Sequence, residues 1–395
     1  MTTLIPWLAA PNWAEGITET LEWKTSILQS SSGAEQRVAR RLSPRRSYEL
    51  SVITAGNDRA AFENALARAG GMTWTIPAWP DIAELAVTCP VGSLIIPVIT
   101  TGRNFTAGGK LLIQSAQGWL SRYEVADIRL VMSDRLVLAS GTAQQWSAGT
   151  LIYPAYQAFL TNPPAISRKT DALMSARVRF QVMGANDYPA VNNLPLYRSH
   201  PILEHDPDWS DELTAEYNRM MLELDNGTGI PFRTDTAQRA FTVQQHVWVA
   251  AGRYVQGALR SLFWYLRGSQ RSLWIRSQSN DLEPISPLNG NILDVQFVGL
   301  SDFGLMPGRQ DIAIRLADGA YLYRRITAVN RRTSISDRLI LDGAPVQVPL
   351  SHIVSISFMS LCRQNSDSVD WEHQTDADGV ATISTTFRGV RDELE

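Results

Sequence analysis

With 395 residues, 44% of them hydrophobic and 19% charged, the chain is too long for one compact core and ordinary in composition for a folded protein of two or more domains. A formal net charge of −3 leaves no basic footprint for nucleic acid, and no stretch approaches the roughly 20 apolar residues of a membrane span. The start, Met1-Thr-Thr-Leu-Ile-Pro-Trp7, has neither a basic region nor a long apolar run, so no signal peptide is expected.

In chain order, Pro11-Asn-Trp13 opens the first stretch, and a strand pair is expected around Gly33-Ala-Glu-Gln-Arg37. Asn57-Asp58 are expected to cap a helix carrying Phe62 and Leu66, which Gly70-Gly71 stop. A Trp strand follows at Thr73-Trp74, then short strands at Leu94–Thr100, Lys110–Gln114, Ile128–Met132, Leu136–Leu138 and Thr150–Tyr153. An alternating strand with Val178, Phe180 and Val182 on one face closes this half. Asn, Pro and Tyr in Gly184–Pro201 mark a linker or extended arm.

The second half offers the same series. Asp206-Pro-Asp-Trp209 opens it, and a strand pair lies near Gln238-Arg239. A helix spans about Gly252 to Gly268, with Val255, Leu259, Leu262, Phe263 and Leu266 on one face. Leu273-Trp274 follows, then strands at Ile292–Val298, Asp311–Leu316, Tyr321–Val329, Leu339–Leu341 and Ile353–Phe358, and a closing strand with Ala381, Ile383, Thr385 and Phe387. Turn residues every 8–12 positions point to a sandwich or barrel rather than a parallel sheet.

The two halves also match residue by residue. Ser133-Asp134-Arg135-Leu136 returns 203 residues later as Ser336-Asp337-Arg338-Leu339. Phe62, Leu66, Trp74 and Asp81 have counterparts at an offset of 200 in Leu262, Leu266, Trp274 and Asp281, and Gln36-Arg37 matches Gln238-Arg239 at 202. A collinear series of this kind is a tandem duplication of a unit of roughly 200 residues. The expected fold is mainly β (α+β), a duplicated sandwich- or barrel-like unit with one principal helix per repeat. The first unit is placed at 1–185, the linker at 186–200 and the second unit at 201–395.

No residue is nominated as catalytic, cofactor-binding or metal-ligating. His200-Pro-Ile-Leu-Glu-His205-Asp-Pro-Asp208 is the only cluster of possible ligands, and its spacing fits no metal set, so a polar loop is the reading. Asp134 and Asp337 read as side chains closing tight turns. Gly227-Thr-Gly229 and Ala107-Gly-Gly109-Lys110 lack the spacing of a phosphate loop, and no nucleophile elbow or zinc-protease motif occurs. Cys89 and Cys362 lie at non-equivalent places and read as buried thiols of a protein made in a reducing cytoplasm. The arginine run from Arg37 to Arg46 suits buried and interfacial carboxylates, and reads otherwise as a solvated strand face or a phosphate-attracting patch. Of the aromatic cluster Phe263-Trp264-Tyr265 with Trp248 and Trp274, most reads as core, with Trp264 or Tyr265 expected to face a partner chain.

Trp23-Lys-Thr-Ser-Ile-Leu-Gln-Ser-Ser-Ser-Gly33-Ala-Glu-Gln-Arg37, followed by Leu42-Ser-Pro-Arg-Arg-Ser-Tyr48, resembles the N-terminal signature of distal tail and baseplate proteins of long-tailed bacteriophages and gene transfer agents. Leu266-Arg-Gly268 with Leu273-Trp274-Ile275, and Leu361-Cys-Arg363-Gln-Asn-Ser-Asp367-Ser-Val-Asp-Trp371, are similar to later segments of the same proteins. The resemblance implies a non-catalytic virion tail component made in the host cytoplasm, without cofactors, sequence-specific nucleic-acid binding or membrane insertion. Its implied partners are the tail tube protein, the tape measure, the tail-tip or receptor-binding proteins and further copies of itself. A duplicated chain then suits a homotrimer whose six units mimic a hexameric ring, with a homohexamer as the other assembly. In that ring Trp74/Trp274 and Asp81/Asp281 are expected to be fold determinants, and Gly102–Gly109, Gly184–His205 and Arg363–Glu395 to make the contacts that differ. The competing readings are a glycan- or receptor-binding module using exposed Trp79, Trp146 or Trp264, and a cell-wall-degrading enzyme.

Overall fold

A computed structural model describes residues 5–185, 187–190, 193–210, 212–375 and 379–394. Parts of the expected linker (Asn186, Val191, Asn192) and of the C-terminal contact segment (376–378 and Glu395) lie outside the described residues.

The first unit runs β1 (Ile5–Pro6), β2 (Ile17–Gln29), β3 (Glu35–Ala55), α1 (Gly56–Ala69), β4 (Trp74–Pro77), β5 (Ala83–Glu84) and β6 (Ile95–Pro97). It continues with β7 (Lys110–Gln114), β8 (Tyr123–Met132), β9 (Arg135–Leu138), β10 (Leu151–Leu160), β11 (Ala165–Arg168) and β12 (Leu173–Val182). A small hairpin, β13 (Leu196–Tyr197) and β14 (His200–Pro201), stands at the end of the expected linker. The second unit starts with β15 (Ala215–Leu224), β16 (Phe232–Ala251), α2 (Arg253–Leu266), β17 (Ser272–Arg276), β18 (Leu288–Gly290) and β19 (Ile292–Gln296). Then come α3 (Leu300–Phe303), β20 (Asp311–Leu316), β21 (Tyr321–Thr333), β22 (Ser336–Leu341), β23 (Val346–Val348), β24 (Ile353–Gln364), β25 (Ser368–His373) and β26 (Val380–Gly389). The fold is mainly β.

The strand pairings repeat. β2–β3, β3–β12, β4–β10, β7–β10, β7–β8, β8–β9, β6–β9, β10–β12 and β11–β12 in the first unit are matched in the second. The matching pairs are β15–β16, β16–β26, β17–β24, β20–β24, β20–β21, β21–β22, β19–β22, β24–β26 and β25–β26. Even the parallel pairing of Pro6 with Thr75 returns as Ile202 with Trp274, the next N–H in each case bonding back to the Thr75 or Trp274 carbonyl. The cores come in pairs too. Phe62, Trp74 and Phe180 around α1 answer Leu259, Leu273 and Phe387 around α2. Ile96, Ile113 and Leu136 fill the small barrel of the first unit as Leu293, Ile314 and Leu339 fill that of the second. Alternation explains the closing strands: Val178, Phe180 and Val182, like Ala381, Ile383, Thr385 and Phe387, are buried.

Several expectations need correction. The helices lie 197 residues apart (Gly56 to Arg253), so Phe62 falls opposite Leu259 rather than Leu262. The connection holding the 3₁₀ turn Gly268–Gln270 is two residues longer than its counterpart, so the strand pairings set Trp74 opposite Leu273, and Trp274 faces the other side of its sheet. Asn57 and Asp58 sit inside the first turn of α1, whose N-cap is Ala55 without a side-chain bond; Asp58 instead accepts the Leu120 N–H at 3.2 Å. Val255 is on the rim of its helix, 37% exposed. Asp134 does not close its turn but pairs with Arg135, and Asp337 lies within β22, where it accepts the Ser301 hydroxyl at 2.7 Å. The expected strands were also short: β10 and β24 run on to Leu160 and Gln364, because their far halves pair with β4 and β17.

Candidate functional site

The seam between the units holds a buried cluster of charged side chains. β2 of the first unit pairs antiparallel with β25 of the second, from Ile17 opposite His373 to Glu22 opposite Ser368. Strand alternation turns Glu19 inward there, and both Glu19 and Arg46 are fully buried. Arg46 Nε donates to Glu19 Oε1 at 2.6 Å, and Arg260 of α2 donates to Glu19 Oε2 at 2.9 Å. Arg260 also reaches Asp81 Oδ2 at 3.2 Å, and Arg253 reaches Asp81 Oδ1 at 3.1 Å. His373 Nε2 lies 2.8 Å from Glu19 Oε2 and donates to it, since that carboxylate is ionised. Three strands, a helix and the 3₁₀ turn Trp79–Asp81, drawn from both units, thus converge on one ionic cluster.

Burial alone would raise the Glu19 carboxyl, but Arg260 and Arg46 beside it hold it well below the usual range. Burial lowers His373 against the opposing pull of Glu19, which leaves the imidazole neutral near pH 7. Burial raises the Tyr48 and Tyr156 hydroxyls, whose rings lie 5.4 and 5.0 Å from the Arg46 guanidinium carbon. Asn104, with its amide oxygen turned inward, takes N–H bonds from Arg46 at 2.7 and 3.3 Å and the Tyr156 hydroxyl at 2.8 Å. All four carboxylate oxygens of Glu19 and Asp81 are engaged by these groups. The arrangement suits a clamp, because a buried charge network holds only one geometry in which every member is satisfied.

Beyond the clamp, the β2–β3 hairpin reaches across the second unit. Trp23, at a bulge in β2, packs edge-on against Trp264 with ring centroids 5.5 Å apart. Asp367 fastens the bulge: its carbonyl accepts the Trp23 N–H at 2.8 Å, and its carboxylate accepts the Thr25 N–H at 2.6 Å and the Ser269 N–H at 2.9 Å. Glu35 receives the Arg363 guanidinium in a fork at 2.7 and 2.8 Å, and Arg37 donates to Ser272 at 3.0 Å. Arg391 donates to the Ser32 carbonyl at 3.0 Å. At the tip Gly33 (φ +83°) leaves no room for a side chain, as a Cβ would lie 2.4 Å from the Phe241 ring.

The expected aromatic contacts are redistributed. Trp264 is buried within the chain against Trp23 rather than offered to another copy, and Trp79 and Trp146 are buried as well, at 3% and 0% exposure. The arginine run is not a uniform solvated face: Arg46 is in the clamp and Arg37 reaches the second unit, while Arg40 and Arg45 are exposed. Asp81 and Asp281, 200 residues apart, do not share a task, since Asp281 binds Ser277, the Phe358 N–H and Arg309 within its own unit. Gly102, in a segment expected to serve contacts between copies, sits against Arg253 inside the chain. His200 and His205 stay on the linker side, and no group of three metal-ligating side chains occurs among the described residues. The clamp escaped sequence reading because Glu19 and Arg260 are 241 residues apart. One signal could have found it: Glu19 interrupts the apolar face of β2 between Ile17 and Leu21. Compared with known proteins, the sequence matches no protein-family model and no curated protein.

Proposed function

We propose that the chain is a ring-forming structural component of a bacteriophage tail tip or baseplate, an adaptor joining the tail tube to tip or receptor-binding proteins, and that it acts as a homotrimer of six similar units. One observation carries the ring. The first unit docks on the second head to tail, through the β2 edge and its hairpin against the β25 side. The corresponding hairpin of the second unit, β15–β16, projects with Met221, Leu224, Ile230 and Phe232 exposed, and β11, the counterpart of β25, pairs only with β12 among the described strands. A heterologous contact with one half free at each end of the chain repeats from copy to copy until it closes. Three copies give six units, the number that suits the sixfold tube implied by the resemblance.

The glycan-binding reading loses its anchors, because all three tryptophans nominated for it are buried. Native mass spectrometry with electron-microscopy class averages tests the ring. A trimer with six similar lobes around a hole is expected; a monomer at micromolar concentration refutes it.

A further inference from the structure

We infer that neighbouring copies join by strand addition, with β15 of one chain pairing antiparallel to β11 of the next in the register that β2 and β25 use within the chain. This rests on the head-to-tail ring proposed above and names its contact. β3 and β16 correspond at an offset of 196 (Ala55 and Ala251 end them), so Glu19, which faces Tyr48, corresponds to Ala215, which faces Gln244. β11 and β25 correspond at 205, because Arg168 faces Met174 as His373 faces Ala381. Carrying the internal pairs across places Leu213 opposite Arg168, Thr214 opposite Ser167, Ala215 opposite Ile166 and Glu216 opposite Ala165 of the next copy.

The side chains suit this pairing. Leu213, Ala215 and Tyr217 stand where the first unit has Ile17, Glu19 and Leu21, and Tyr217 is 57% exposed whereas Leu21 is buried. They would cover the groove beside β11 lined by Leu66, Ala67, Leu160 and Ile166. One step outside the ladder, Glu212 falls opposite Lys169, an opposite-charge pair. Asn162 stands where Asp367 accepts the backbone of the β2 bulge, and its amide oxygen can do the same for the bulge between Arg219 and Met221. Farther along, exposed Met72 and Met183 offer an apolar bed for the projecting hairpin. Pro164, which has no N–H, would end the ladder opposite Tyr217 and keep this edge from accepting longer strands. The ionic clamp itself is not repeated, since Ala215 replaces Glu19, and Glu63, at the helix position corresponding to Arg260, pairs with Arg168 at 3.1 Å.

The test is disulfide trapping with Thr214→Cys and Ser167→Cys in one chain. Trp23 N–H bonds Asp367 within the internal ladder, so the Thr18–Glu372 pair and its counterpart are non-hydrogen-bonded pairs, whose Cα atoms lie about 4.5 Å apart, within disulfide reach. The native thiols, Cys89 and Cys362, are buried. Under mild oxidation the double variant is expected to form covalent oligomers that end at three chains, with Thr214→Cys paired to Arg168→Cys, on the other face, as the slipped control that stays unlinked. If the parent is a trimer but only the slipped pair links, or neither does, the register is wrong while the ring stands. A covalent series without an end keeps the strand pairing and overturns the ring. A parent that stays monomeric and unlinked overturns both.

Discussion

Glu19→Gln is the sharpest perturbation of the seam. The substitution keeps volume and removes one charge, so the buried clamp of three arginines and two carboxylates goes from a formal +1 to +2. Removing one partner of a buried pair costs about 3–5 kcal/mol, because the survivor is left desolvated and uncompensated. For a chain of 395 residues that corresponds to a fall of about 4–6 °C in melting temperature if unfolding stays cooperative. Because the clamp joins the two units, the loss should also split one unfolding transition into two, read by tryptophan fluorescence in a guanidinium series at fixed protein concentration. Adding Arg260→Met restores the cluster to +1 and should recover at least half of the loss, the non-additivity expected of groups in contact. A single-variant cost under about 1 kcal/mol, or a double variant as poor as the sum of its parts, refutes the clamp.

Gly33→Val should undock the hairpin tip from Phe241 at a Cβ separation of 2.4 Å, so limited proteolysis is expected to cut near residue 33 in the variant and spare the parent. Cys89 and Cys362 should both resist a thiol reagent in the folded chain and react in denaturant; burial pushes Cys362 up to about 12, and rapid labelling of either would contradict its placement. His246, packed on Trp248 and Phe387, is lowered to about 4 by burial and by Arg276, so its contribution is complete above pH 6.5 and lost as pH falls toward 4; His246→Phe should flatten stability over that window. Asp311 is raised to about 6 by burial and by Asp392, against Tyr197 and Arg325, so its contribution is complete below 3.8 and lost as pH rises through 6. The difference from 3.8 to about 6 corresponds to about 3 kcal/mol, and Asp311→Asn should raise rather than lower the melting temperature at pH 7.

What could be read before folding was whatever repeats or alternates. Val178, Phe180 and Val182 announce a buried face by period two alone, whereas Trp74 and Trp274 match in sequence but not in place: Trp74 packs under α1, while Trp274 lies on the opposite face of its strand against Tyr197 and Leu273 takes the position under α2. The helix offset misled because a three-residue turn at Gly268–Gln270 is invisible until the strand behind it is placed. Asn57 and Asp58 look like caps to local chemistry, but β3 runs straight into α1 and leaves Ala55 at the boundary. The seam was illegible for a different reason. A carboxylate in a strand and an arginine in a helix are each unremarkable, and only the pairing of β2 with β25 brings Glu19 to Arg260. The expectation that Trp264 faces a partner chain failed because the Trp23 hairpin that covers it comes from its own chain.

The pairing of β2 with β25 also constrains synthesis. Glu19 leaves the ribosome 352 residues before Trp371, the residue it faces. At about 5–20 residues per second the β2 edge therefore waits roughly 20–70 s for its partner. Once Arg168 has been made, the first unit has its own β11 complete but still no β25, and a nascent chain elsewhere on the same message offers another bare β2. Translation order thus sets a contest between closing the chain on itself and capturing a neighbour. The absence of a charged counterpart to Glu19 at Ala215 gives the internal closure an ionic reward that the external one lacks.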